Sequence, residues 1–199
     1  MSIMDKASSK IFNEHSLLSP ETDTEKKLLT DEKFVEGLHW GEPRFGHPEG
    51  KVLFHIKEVL DNIDKCDVGK EERRKLRLIA FVHDTFKFQE CKMAGPARDW
   101  TKHHAVLAEN YIKQITTEKD IITITAMHDE AFHAWKLSEL KKDQEASKIR
   151  LDNLLAKTKG FEQLYYTFFV CDTTTGDKNL RPIDWFEQKV PSLKRFSLK

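Results

Sequence analysis

The sequence predicts an all-α protein: a single bundle of about six core helices, with a peripheral N-terminal arm and a C-terminal tail. Three observations carry this reading. Apolar residues recur at spacings of three and four through most of the chain, which is the period of a helix face. Glycine and proline gather in the few stretches between those faces. The one β-prone stretch, ITIT at 122–125, has no evident partner strand, so it reads as helix too. A chain of 199 residues suits one well-buried domain and is short for two.

Residues 1–29 are polar with short apolar pairs such as Leu17 and Leu18, and read as an arm laid on the domain. Thr30, Asp31 and Glu32 form a helix start, after which Phe34, Val35 and Leu38 share a face. The stretch 37–50, GLHWGEPRFGHPEG, carries four glycines and two prolines and reads as a loop. Val52, Ile56, Val59, Leu60 and Ile63 mark the next helix. A helix over 71–88 ends in the very apolar LRLIAFV and is expected at the centre. Residues 89–100 read as a loop, and 101–115 as a helix with Leu107, Ala108, Tyr111, Ile112 and Ile115 inward. A further helix covers 119–128. The charged run 137–157 reads as one or two exposed helices, Gly160 as a stop, and 161–173 as an aromatic-rich helix. The tail after Gly176, with Pro182 and Pro191, is expected to wrap the surface. The domain proper is then 30–178, and 179–199 is the tail packed on it.

Lysine plus arginine and aspartate plus glutamate both number 33, so no long-range field favours an extended nucleic-acid surface or an anionic membrane. Cys66, Cys91 and Cys171 are too few and too scattered for a disulfide framework or a CxxC zinc site, and read as reduced thiols. The opening MSIMDKASSK lacks a secretory apolar core, and no segment reaches the ~20 apolar residues of a membrane span. The expected location is the cytoplasm.

The informative residues are ionisable groups on apolar stripes. His55 lies three after Val52 and four before Val59. His104 lies three and four before Leu107 and Ala108. His128 follows Ile121 and Ile124 by seven and four, and Asp172 follows Phe168 and Phe169 by four and three. His83 and Asp84 close the most hydrophobic run of the chain. Any one of these alone reads more simply as a hydrogen-bonded core histidine or a capping aspartate, and the dipeptide His-Asp occurs twice, at 83 and at 128. Six together are different. Buried carboxylates need a cation or strong donors, and imidazole with carboxylate is the ligand chemistry of Mn, Fe, Co, Ni and Zn.

The order His, then His-Asp, then a distal Asp resembles the HD superfamily of metal-dependent phosphohydrolases. The matching pieces are HPEGKVLFHIKEVLDNI, LIAFVHDTFKF and FVCDTTTGDK. HHAVLAENYI and ITAMHDE are similar to the stretches that carry two further metal-binding histidines in dinuclear members. The resemblance spans about residues 45–178. It implies an HD-type helical bundle holding one or two divalent ions (Mn, Fe, Co, Ni or Zn, with Mg also compatible). His55, His83, Asp84 and Asp172 would hold the first ion. Asp84 would bridge to a second, completed by His104 and His128.

Lys87 sits four after His83, as in relatives that read HDxGK, and would face a substrate phosphate. Thr85 and Phe86 depart from that pattern, which puts the shape of the pocket floor in question. His47 competes with His55 as first ligand, and His103 with His104; helix stripes favour His55 and His104. The implied chemistry is hydrolysis of a phosphate ester, in a nucleotide or related phosphorylated metabolite, by attack of a metal-activated water, with Asp84 and Lys87 central. Arg98, Arg44 and Lys102 are further candidates for phosphate oxygens, and Trp40, Phe45 and Trp100 for stacking on a base. A homodimer is compatible with this. A dinuclear-iron oxygenase, or a non-catalytic nucleotide-binding HD module, is the alternative on the same scaffold.

Overall fold

The computed structural model describes Glu14, residues 16–90, Met93 and residues 99–198. Among them helices are the only regular secondary structure, and the one β feature is an isolated bridge between Arg44 and His47. We label the helices α1 (Asp23–Leu28), α2 (Glu32–Leu38), α3 (Val52–Asp64), α4 (Lys70–Val82) and α5 (His104–Ile112). They continue as α6 (Lys119–Met127), α7 (Glu130–Trp135), α8 (Gln144–Lys157), α9 (Glu162–Thr173) and α10 (Arg181–Lys189). No helix among the described residues is long and apolar enough to cross a membrane.

The central element is α4. Its last seven residues, Leu76 to Val82, are all buried, and it packs against α3, α6 and α9. Continuous apolarity is what a helix needs when neighbours surround it. Around it, α5 packs on α6, α3 on α9, and α8 and α10 on α7. The Asp31 carboxylate starts α2 by accepting from the Lys33 and Phe34 amides at 2.9 and 3.1 Å. The arm is fixed by a buried ion pair: the Arg77 guanidinium donates to both oxygens of Glu25, at 3.1 and 3.0 Å, and to the Ser19 carbonyl. Leu18 and Leu28 enter the core beside it.

Several boundaries differ from expectation for identifiable reasons. The helix expected over 71–88 stops at Val82. Thr85 returns its hydroxyl to the Phe81 carbonyl at 2.6 Å, and the Thr85 amide bonds the Val82 carbonyl, so the chain tightens into a turn bearing His83 and Asp84. The helix expected from Thr101 begins instead at His104, because Asp99 caps a separate 3-10 turn, Trp100–Lys102. The glycine-rich loop starts later than Gly37, which lies inside α2. α7 occupies a stretch left unassigned, and a π-helical turn, Lys136–Leu140, extends it. The tail is not a simple wrap. α10 forms in it with Pro182 in its first turn, where no amide hydrogen is required, and buries Ile183, Trp185 and Phe186.

Candidate metal centre

Two short segments of similar construction face each other. His83 caps α4 and His128 caps α6, and an aspartate follows each. In both, Nδ1–H points back into its own helix end, to the Ala80 carbonyl and the Thr125 carbonyl, each at 2.9 Å. Tyr165 of α9 holds the second segment. Its hydroxyl donates to the Met127 carbonyl and accepts from the Ala131 amide, both at 3.1 Å.

His55 reaches the first segment from α3. Its Nε2 lies 3.2 Å from His83 Nε2 and 3.0 Å from the Asp172 carboxylate of α9. His104 reaches the second from α5, with Nε2 3.3 Å from His128 Nε2 and 3.1 Å from Asp129 Oδ2. Between them stands Asp84. Its Oδ2 is 3.6 Å from both His55 Nε2 and His83 Nε2, while Oδ1 is 3.4 Å from His128 Nε2 and 3.6 Å from His104 Nε2. Oδ1 is buried and accepts no hydrogen bond. All six expected ligands thus converge as two sets, His55–His83–Asp172 and Asp84–His104–His128.

The far nitrogen of each imidazole has its own partner. Besides Ala80 and Thr125, Glu90 Oε2 lies 3.2 Å from His104 Nδ1, and Thr175 Oγ1 lies 3.4 Å from His55 Nδ1. The Thr175 hydroxyl donates to the Asp172 carbonyl at 2.7 Å, leaving its lone pair for His55. With Nδ1 as donor, each ring in its neutral form turns the lone pair of Nε2 inward. Facing lone pairs at 3.2 and 3.3 Å, beside a carboxylate oxygen that no donor reaches, require a cation or a proton between them. The donor set fits a divalent transition metal in each half.

Electrostatics divide the two halves: His83 in the first is held neutral, whereas the carboxylates around His104 and His128 in the second favour a proton there that a metal would have to displace. Burial drives His83 down to about 3, so its ring is neutral and ligand-ready. Burial opposes charge on His104 as well, yet hydrogen bonds to Asp129 and Glu90 outweigh it and raise this group to about 9. Burial works against the Asp84 anion, but Lys87 and the histidines hold its pKa well below the usual carboxylate range. Asp172 is likewise kept anionic against burial, chiefly by Lys178 and His55.

Lys87 folds onto Asp84 Oδ2 as an ion pair. It lines a small cavity over the first set together with Trp40, Arg44, His47, Glu49 and His55. Arg44 is therefore at the expected rim. Lys102 is not: it is exposed, and its nearest ionic partner is Asp99 at 3.7 Å. Arg98 lies outside the described residues. His47 and His103 occupy the flanks rather than the centre. His47 Nδ1 bonds Glu49 at 2.9 Å, and His103 Nε2 is 3.7 Å from Glu90.

Four contributors were not anticipated. Asp129 closes the second His-Asp dipeptide, and the repeat of that dipeptide at a second helix end is its signal in the sequence. Lys178, whose Nζ is 3.0 Å from Asp172 Oδ1, lay within the quoted FVCDTTTGDK. Thr175 lies in the same stretch, but it and Glu90 carry no signal of their role, which exists only through contacts across the fold. No protein-family model matches this chain, and no curated protein or solved structure matches it either.

Proposed function

We propose that this chain is a metal-dependent phosphohydrolase of the HD type, acting on a nucleotide or related phosphorylated metabolite. The observation that supports it best is the position of Asp84. One carboxylate oxygen faces the His55–His83 pair, and the other, without any hydrogen bond, faces His104 and His128. A bridging carboxylate between two imidazole pairs is the arrangement the resemblance implies. Asp172 completes the first set, and Asp129 adds an oxygen to the second. When bound, the metals supply charge neutralisation at phosphorus and lower the pKa of water.

The chain's own residues supply orientation and anion binding. Lys87 reaches the carboxylate between the two halves, so its ammonium is placed to exchange Asp84 for a substrate phosphate oxygen. Arg44, exposed on the cavity rim, presents a second cation to the same opening. His47 and Trp40 form the wall between them.

The test is a phosphate-release screen of chain reconstituted with Mn, Fe, Co, Ni or Zn. The panel contains nucleoside monophosphates, triphosphates, cyclic nucleotides and simple esters. We expect hydrolysis of one nucleotide class, abolished in Asp84→Ala. Oxygen consumption without phosphate release would move the assignment to an oxygenase. A metal-loaded chain inert in both assays would leave a binding module.

A further inference from the structure

Cys66 and Cys171 are 105 residues apart in sequence, yet their sulfurs lie 3.5 Å from each other. Cys171 is buried in α9 and directly precedes Asp172; Cys66 is half-buried, in the turn that ends α3. Asn62, one turn before Cys66, clamps the two elements together. Its amide donates to the Cys171 and Thr174 carbonyls, both at 2.9 Å. The thiols therefore meet across a well-held helix contact, with Cys66 half-buried, its thiol donating to the Asn62 carbonyl at 3.3 Å, and Cys171 fully buried. A lone buried cysteine is inert; a half-buried cysteine touching a buried one has the layout of an attacking and a resolving thiol.

We propose that Cys66 and Cys171 are a thiol–disulfide exchange site that takes low-molecular-weight disulfides and closes a bond between the end of α3 and α9. The Cys66 thiolate attacks one sulfur of the small disulfide. That bond breaks, Cys66 becomes a mixed disulfide, and one small thiol leaves. Cys171 attacks the Cys66 sulfur and expels the second small thiol, the Cys171 proton passing to the departing thiolate. Two protein thiols are oxidised, and one small disulfide is reduced to two thiols.

A disulfide holds its sulfurs at about 2.05 Å, so closure draws them together by about 1.5 Å from 3.5 Å. The strain falls on the residue before Asp172 and on the helix that carries His55. Coupling to those two side chains rests on the metal reading above; formation of the bond does not. The turn at Cys66 is the element that must follow, against the Cys66 amide bond to the Ile63 carbonyl and the Cys66 thiol bond to the Asn62 carbonyl.

The experiment treats full-length native chain, carrying Cys91→Ser, with glutathione disulfide and reads intact mass, followed by Mn²⁺ titration of the oxidised and dithiothreitol-reduced forms. Loss of two hydrogens is expected, with the crosslink mapped to Cys66 and Cys171. Cys171→Ala should stop at one glutathionyl adduct on Cys66, and Cys66→Ser should remain unmodified. Mn²⁺ binding should weaken about tenfold on oxidation and recover with dithiothreitol. A native chain that keeps both thiols, while the denatured chain reacts, overturns the exchange site. A crosslinked chain with unchanged Mn²⁺ affinity overturns the coupling to Asp172. If the reduced chain binds no metal, the metal reading fails while the exchange site stands.

Discussion

Gly37→Ala should destabilise the protein although it places a better helix former inside α2. A β-carbon at this position would lie 1.9 Å from the Thr85 carbonyl oxygen and 2.9 Å from its carbonyl carbon. Ordinary contact begins at 3.4 Å, so the methyl is about 1.5 Å too close to backbone that cannot rotate away. The Thr85 carbonyl belongs to the turn bearing His83 and Asp84, so either α2 or that turn must move. Overpacking of this depth costs about 3 kcal/mol. Alanine returns about 1 kcal/mol in helix propensity, leaving a net loss of about 2 kcal/mol. With a urea m-value of about 2 kcal/mol/M, the unfolding midpoint should fall by about 1 M. Equilibrium urea denaturation followed by circular dichroism measures it. A midpoint equal to or above that of the unaltered protein would refute the packing argument, and with it the claim that α2 buttresses the turn bearing His83 and Asp84.

Three further outcomes follow from the same geometry. Glu25→Ala leaves the buried Arg77 guanidinium with Glu21 and the Leu18 and Ser19 carbonyls as its remaining partners and should cost about 2–3 kcal/mol in chemical denaturation; a loss under about 1 kcal/mol would mean that the pair does not hold the arm. Lys87→Ala should leave metal content unchanged while abolishing phosphate release, since the lysine contacts a ligand's carboxylate rather than sitting among the imidazoles; retained turnover would remove its phosphate role. His104→Ala or His128→Ala should lower metal content by about one ion and spare the other set, which elemental analysis resolves; unchanged content would make both histidines substrate contacts beside a single metal.

Most of the core helices and the six clustered side chains were legible because both follow from periodicity. A stripe such as Val52–Ile56–Val59–Ile63 announces its buried face, and a histidine on that stripe is visibly out of place. What was not legible depended on contacts between distant segments. The end of α4 is set by the Thr85 hydroxyl and by α2 crossing at Gly37, neither of which alters the apolar run that suggested a longer helix. α10 was hidden by Pro182, a breaker in mid-helix but a starter in the first turn. The Cys66–Cys171 contact and the partners Glu90 and Thr175 join residues far apart in sequence or in separate loops. No local pattern encodes them. Lys102 shows the reverse error: a cation close in sequence to His104 points to Asp99 and away from the site.

The central claim is that Asp84 stands between two metal sites. Its most direct test is elemental analysis of chain purified without chelator, reconstituted with Mn²⁺ and freed of excess ion, beside Asp84→Ala treated identically. The account predicts about two ions per chain for the unaltered protein and near-complete loss in the variant. Failure of the unaltered chain to retain any metal stoichiometrically, or a variant that retains both ions, would contradict it.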